Sequence, residues 1–280
     1  MTQTHLFERI LVTGASGRIA ALLRQAWHDR PPEEVVWLAR TGPADVTWTP
    51  GTPMPAIPPC DTVIALWGQV TGSEENLATN ARLVAHTEAL AEVCGARRVL
   101  HFSSSAVYGP GTRLSESDHA RPVNTYGAAK LAMEQAVQAL SASPRRHCCL
   151  RVANVIGAEN QGPKLVKSAG PVHLHRFANG EGPVRSYISP KDLADILRAL
   201  CDLPPGDLPE CLNVTAPQPL SMESIMRAAE RPIHWQTAPD HAVQSVTLDG
   251  SRLARLLPFL YLSTTADQMI HDWHSLETRQ

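Results

Sequence analysis

The sequence predicts an α/β fold in which a doubly wound parallel sheet, with helices on both faces, is followed by a small C-terminal lobe. Short apolar, β-branched runs recur at 9–13, 35–38, 62–66, 99–103 and 148–154, each with the length and composition of a buried strand. Segments with helical spacing lie between them at 19–28, 75–93 and 126–140, and such strand–helix–strand alternation builds a parallel sheet. A glycine-rich turn, Gly14-Ala15-Ser16-Gly17, joins the first strand to the first helix.

That turn is the first chemical signal. Small residues let a backbone approach a dinucleotide pyrophosphate, and the helix start offers free N–H groups and a positive dipole. Gly14, Ser16, Gly17, Arg18 and Ile19 are therefore candidate cofactor contacts. The spacing is Gly-x-x-Gly-x-x-Ala, with Ala20 in the third small position, and tight-turn geometry alone also accounts for the glycines. The second strand ends Leu38-Ala39-Arg40-Thr41, with no acid to hold a ribose 2′-hydroxyl. Arg40 stands there instead, and a guanidinium pairs with a 2′-phosphate, which favours NADP over NAD, with Arg18 in support. A solvated arginine at a strand end is the competing account. Asp45 and Val46 follow where an adenine amino group can be bonded. Prolines crowd 50–59, which excludes regular structure and makes a surface loop.

The most informative stretch runs Val99-Leu-His-Phe-Ser-Ser-Ser-Ala-Val-Tyr-Gly109, with Tyr126-Gly-Ala-Ala-Lys130 later at the head of a helix. Tyr126 and Lys130 are one turn apart and share a face. A phenol titrates near pH ~10, so its use as a base near neutrality needs positive charge beside it. Lys130 and an oxidised nicotinamide ring both supply that charge, and Ser104 can hold the reacting oxygen. The alternatives are a surface helix pair for Tyr126 and Lys130, and turn chemistry for the serines.

Past Gly157 the pattern loosens, with Gly and Pro frequent through Pro183. A clear helix start follows at Ser189-Pro190-Lys191-Asp192, where Ser189 can cap and Asp192 can close a capping box. Ser221-Met-Glu-Ser opens another helix, reaching about Glu230. The expected division is a Rossmann-type dinucleotide-binding domain over 1–157 and a mainly substrate-binding lobe over 158–280, with about 184–215 returning to the core.

Composition narrows the function. The 280 residues carry 25 basic and 27 acidic side chains, so no positive excess points to nucleic acid. No apolar run is long enough to cross a bilayer and the first residues lack a secretory pattern, so a cytoplasmic protein is expected. The six cysteines show no zinc-ligand spacing and read as buried thiols. His173 and His175 read as alternate positions on a strand rather than metal ligands, so no metal is expected.

Taken together, the motifs resemble those of the NAD-dependent epimerase/dehydratase family of extended short-chain dehydrogenases. The matching stretches are 13–20, 61–66, Asn80, 103–109, 126–130, 150–157, 185–188, 192–194 and 212–214. The resemblance implies Ser104, Tyr126 and Lys130 as catalytic residues, with Ser105 the less favoured serine. It places Leu66, Trp67, Gly68 and Asn80 along the cofactor, Asn154 at the substrate, and Arg185 at a substrate phosphate. It implies a homodimer joined through the helices 75–93 and 126–140. Two functions follow: a sugar or nucleotide-sugar epimerase-like oxidoreductase, or an NADP-linked reductase or dehydrogenase of a smaller substrate. A cofactor-sensing protein without chemistry is a third. Sugar-nucleotide dehydration is disfavoured, because Ser105 and Ala106 stand where dehydratases carry an acid pair. Trp67 is bulkier than the family's usual residue, and 157–185 is short for a lobe that wraps a whole nucleotide sugar.

Overall fold

The computed structural model describes residues 9–28, 34–158 and 170–277. Seven strands form its main sheet: β1 (Arg9–Thr13), β2 (Glu34–Ala39), β3 (Val46–Thr47), β4 (Thr62–Ala65), β5 (Arg98–Ser104), β6 (Arg146–Val152) and β7 (Cys211–Val214). All pairings are parallel, in the spatial order 3-2-1-4-5-6-7. The order reverses between β1 and β4, and the crevice above that switch point is where such sheets bind ligands. All five runs expected to be strands lie in this sheet. The run expected over 148–154 divides, however: β6 stops at Val152, and Asn154–Val155 pairs with Tyr187–Ile188 in a separate ladder. β3 has only two residues, too few to show a periodicity.

The strands alternate their apolar side chains between two helical layers, as the pleat requires. Ile10, Val12, Leu100 and Phe102 pack into the cluster that holds α1 (Arg18–Ala26) and α4 (Pro190–Asp202). Leu11, Val63 and Val99 face α2 (Glu74–Cys94) through Leu90 and Ala91. Beside it, α3 (Thr125–Gln138) packs Met133 and Val137 against Val84 of α2. Ser189 caps α4 as expected, accepting from the Asp192 N–H at 3.0 Å. The Asp192 carboxylate accepts from the Ser263 N–H at 3.0 Å, tying the helix start to the C-terminal segment. At the other end of α4, the buried Arg98 guanidinium donates to the carbonyls of Cys201 and Leu203, which satisfies groups a helix end leaves open.

The lobe draws on both halves of the chain. Its four-stranded sheet sets Leu220–Ser221, Val184–Arg185, Ser245–Leu248 and Gly111–Leu114 side by side. Val172–Arg176 pairs with Ile233–Thr237, and His173, exposed on that strand, stacks on His234 with ring centroids 4.9 Å apart. Among the described residues no group of His, Cys, Asp and Glu is arranged to hold a metal ion. The final helix, Ala266–Glu277, returns to α1 and α4. Its Trp273 indole occupies the space a Cβ on Gly157 would need, 2.4 Å away.

Two buried polar clusters tie the site-bearing strands to the helices. Arg151 on β6 donates to Glu134 on α3 at 3.1 and 2.8 Å, and the Ser103 hydroxyl on β5 donates to the same carboxylate. In the second cluster, His101 Nε2 lies 3.1 Å from His147 Nδ1, and His147 Nε2 reaches Ser143 at 3.2 Å. Burial, then the neighbouring His147 and Lys130, push His101 down to about 3.

Two consequences can be measured. Arg151→Leu leaves the buried Glu134 carboxylate without its charged partner, only Ser103 still donating to it, and is expected to cost about 3–5 kcal/mol in urea unfolding, whereas the double change with Glu134→Leu recovers most of that loss. An additive double mutant would show that the pair is not coupled. For His101 the folded-state value lies below the unfolded one, so its contribution is intact above about pH 6.5 and declines as pH falls toward 3. Between pH ~7.5 and ~5 the wild type should lose about 2 kcal/mol relative to His101→Phe. A pH-independent difference would mean that His101 protonates as readily folded as unfolded.

Candidate active site

The glycine-rich turn sits at the head of β1 against the end of β4. A Cβ on Gly14 would lie 2.7 Å from the Trp67 backbone nitrogen, and Gly14 has a φ of 68°; only glycine fits there without strain. Gly17 donates its N–H to Gly14 O at 2.9 Å and begins α1 with no side-chain cap. An uncapped helix start beside a tight glycine turn fits a pyrophosphate. Ser16, Gly17 and Arg18 are exposed there and Ile19 is half-buried. Arg24, which carried no motif signal, holds the turn from below: it donates to Ala15 O at 2.6 Å and Pro43 O at 3.0 Å, with its guanidinium over the Trp37 ring.

The other expected cofactor contacts divide by position. Arg40 is exposed just past β2, open to an anion. The exposed Asp45 carboxylate accepts from the Trp37 N–H at 2.8 Å, which ties it to the sheet edge, and Val46 packs against the apolar cluster on the α2 side of the sheet. Trp67 turns its indole to α2, donating to the Thr87 hydroxyl at 3.0 Å and lying beside Trp48. Asn80 is 2% exposed, and its amide spans the backbone of Gln69, accepting from the N–H and donating to the carbonyl. It shapes the cleft through the loop it holds. Gly68 lies between Asn80 and Lys130, where a Cβ would meet Asn80 Oδ1 at 2.6 Å.

A cleft of about 380 Å³ opens over the ends of β4, β5 and β6, and it brings together Ser104, Ser105, Tyr126, Lys130, Asn154 and Arg185. Ile19, Leu66 and Gly68 line its cofactor side. Ser104 ends β5 and accepts from the Ala106 N–H at 3.2 Å, capping the short turn Ser105–Val107. That turn and α3 approach closely because residue 127 is glycine: a Cβ there would lie 2.3 Å from Ala106 O. Asn124 starts α3 by accepting from the Gly127 N–H at 2.8 Å, which aims the first turn, with Tyr126, at the strand end.

Electrostatics separate the two key residues. Burial raises the Tyr126 phenol, and a hydrogen bond with Ser104 pulls it back down. Lys130 is 5% exposed and donates from Nζ to Phe102 O at 2.7 Å. Burial lowers its ammonium group to about 8, against the pull of Cys149 and Glu134. One of its three donors is thereby engaged, leaving the others for the cleft. Asn154 donates to Ser186 O at 3.0 Å. Arg185 faces the cleft with its guanidinium bound to the carbonyls of Val184, Val243 and Gln244, a restraint that its position in the sequence did not reveal.

Known proteins share this architecture. A NAD-dependent NDP-hexosamine 5,6-dehydratase of tunicamycin biosynthesis superposes with a TM-score of 0.73 at 20% identity, over 98% of each chain. A UDP-glucuronic acid 4-epimerase from Bacillus cereus, in complex with UDP-glucuronic acid and NAD, gives a TM-score of 0.72 at 17% identity, over 97% of this chain and all of that one, at 100%. At these identities the likeness is one of fold. A curated relative, the dTDP-6-deoxy-L-talose 4-dehydrogenase (NAD(P)(+)) of Kitasatospora kifunensis, is 34% identical over 116 residues. That match spans 38% of this chain and 36% of the relative's length. The model of the NAD dependent epimerase/dehydratase family matches residues 10–214, and with the turn, cleft and strand order described above it identifies this chain as a member of that family.

Proposed function

We propose that the chain is an NAD(P)-dependent, epimerase-like oxidoreductase that moves a hydride and a proton at one carbon of a sugar or nucleotide sugar. The observation that carries this reading is the convergence of Ser104, Tyr126 and Lys130 on one cleft that also reaches Ile19 and Gly68 beside the glycine turn. Ser104 orients the reacting oxygen. Tyr126 takes the hydroxyl proton or returns it, and Lys130 favours the phenolate by its charge and offers its remaining donors to the cofactor ribose. The nicotinamide ring, when bound, accepts or returns the hydride. Gly14, Gly17 and the start of α1 cradle the pyrophosphate, while Arg40 supports NADP as the preferred form over NAD.

A second reading is a dehydrogenase or reductase that releases its oxidised or reduced product. The Kitasatospora relative supports it, and so does the tethering of Arg185, which limits that side chain as a free phosphate holder. Cofactor stoichiometry separates the two, since an epimerase needs only catalytic cofactor and a dehydrogenase consumes one equivalent per turnover. In either case the cofactor is held within residues 1–157 and the substrate mainly by 158–280; of the expected returning stretch 184–215, α4 and β7 lie in the core while Val184–Arg185 lies in the lobe sheet. We place the protein in the cytoplasm as a homodimer joined through α2 and α3. Among the described residues no helix is long and apolar enough to cross a membrane.

Tyr126→Phe is expected to lower kcat by about 10²–10⁴-fold while leaving cofactor affinity nearly unchanged; full activity on the true substrate would remove Tyr126 from the mechanism. Arg40→Ala is expected to weaken NADP binding about tenfold relative to NAD, the loss of one charge-assisted contact. Titration of both cofactors measures this, and equal losses for the two would end the role given to Arg40.

A further inference from the structure

Two thiols with no part in the catalytic reading meet at the opposite end of β4 from the cleft. Cys94 closes α2, and Gly95 follows it in the left-handed conformation with a φ of 74°, which turns the chain toward β5. Cys60 lies just before β4 and donates its backbone N–H to Cys94 O at 2.9 Å. A backbone bond of this kind sets two residues within the Cα separation that disulfides span, about 4.4–6.8 Å. Both side chains enter the same apolar cluster, and the two thiols are hydrogen-bonded to each other.

Their cover is thin. Each residue is 3% exposed, yet Cys60 follows the exposed Pro58 and Pro59, and Cys94 lies between the exposed Val93 and Gly95. Cys148 and Cys149, by contrast, lie inside β6 with buried residues on both sides. The paired sulfurs also differ in character. The bond to Cys94 raises the Cys60 thiol, and burial adds to that effect. The same bond lowers the Cys94 thiol; burial opposes this, while the Ala96 N–H and the Arg145 charge act with the bond. The thiolate is the reactive form of cysteine.

We infer that Cys60 and Cys94 are a modification site that hydroperoxides convert to a reversible disulfide, with Cys94 attacking first and Cys60 resolving. The Cys94 thiolate attacks one oxygen of hydrogen peroxide, the O–O bond breaks, and the leaving oxygen takes a proton and departs as water. Cys94 is then a sulfenic acid. The Cys60 sulfur gives up its proton and attacks Cys94, whose hydroxyl leaves as a second water. Two thiols and one peroxide thus yield one disulfide and two waters. A small thiol reverses the reaction by exchange. The cross-link closes 60–94, which includes β4, Leu66, Gly68 and Asn80, into a covalent loop that restricts the unfolded chain.

The test treats the reduced full chain with hydrogen peroxide under native conditions, then maps cross-linked peptides by mass spectrometry without reduction. A Cys60–Cys94 peptide pair should dominate. Tm should rise by about 5–10 °C and return to its starting value with dithiothreitol. Cys60→Ser should stop at the Cys94 sulfenic acid, captured as a dimedone adduct, and Cys94→Ser should leave Cys60 unlabelled. The wild-type peptide map decides the pairing even where a variant fails to fold. The inference is overturned by a map dominated by another pair such as Cys149–Cys211, by a cross-link that forms only in unfolding concentrations of urea, or by an unchanged Tm. Labelling of Cys60 in Cys94→Ser, with none of Cys94 in Cys60→Ser, overturns the assigned order of attack.

Discussion

The bond from Lys130 Nζ to Phe102 O joins the helix that carries Tyr126 to the strand that ends in Ser104, and the arrangement of the cleft depends on it. An ammonium group as buried as this one needs partners. The carbonyl supplies one, and the Glu134 carboxylate one turn further along α3 adds a favourable field. With the lysine tied down, Tyr126 at i−4 is carried to the same side of the helix. The close approach of α3 to the turn after Ser104 then requires glycine at 127.

The same economy of partners runs through the surrounding structure. Glu134 is shared between Ser103 and Arg151, so β5, β6 and α3 are locked to one another beneath the cleft. Arg24 holds the glycine turn, Arg98 closes the end of α4, and Asn80 holds Gln69. Arg98 and Asn80 in this way satisfy buried or half-buried backbone groups, and Arg24 adds a bond to the Ala15 carbonyl and one to the exposed Pro43 carbonyl. The hydroxyls and the ammonium group suited to proton transfer are concentrated where Ser104, Tyr126 and Lys130 meet. A rigid frame with a small reactive centre is well suited to holding a substrate carbon against a cofactor.

Much of this frame was legible in the chain. The five apolar runs became strands of one sheet because buried parallel strands need continuous β-branched stretches, and the helix starts at Ser189 and Ser221 follow from a residue type that favours caps. The Tyr126–Lys130 pair was readable because helical spacing alone places both on one face. The short β3 was not, since two residues carry no period, and β6 was overextended because Ala153 continues an apolar run that the ladder to Tyr187–Ile188 interrupts. Nor did position reveal that Asn80 and Arg185 spend their donors on backbone carbonyls.

The sequence by itself determined the α/β alternation, the glycine turn after the first strand and the helical register of Tyr126 with Lys130, because these depend on local periodicity and on what small residues permit. Only the tertiary structure decided that Glu134 joins Ser103 to Arg151, that Gly111–Leu114 crosses into the lobe, and that Arg185 borders the same cleft as Ser104, Tyr126 and Lys130. Those outcomes rest on contacts between residues far apart in the chain, where burial and hydrogen-bond satisfaction choose the partner and spacing carries no information about it.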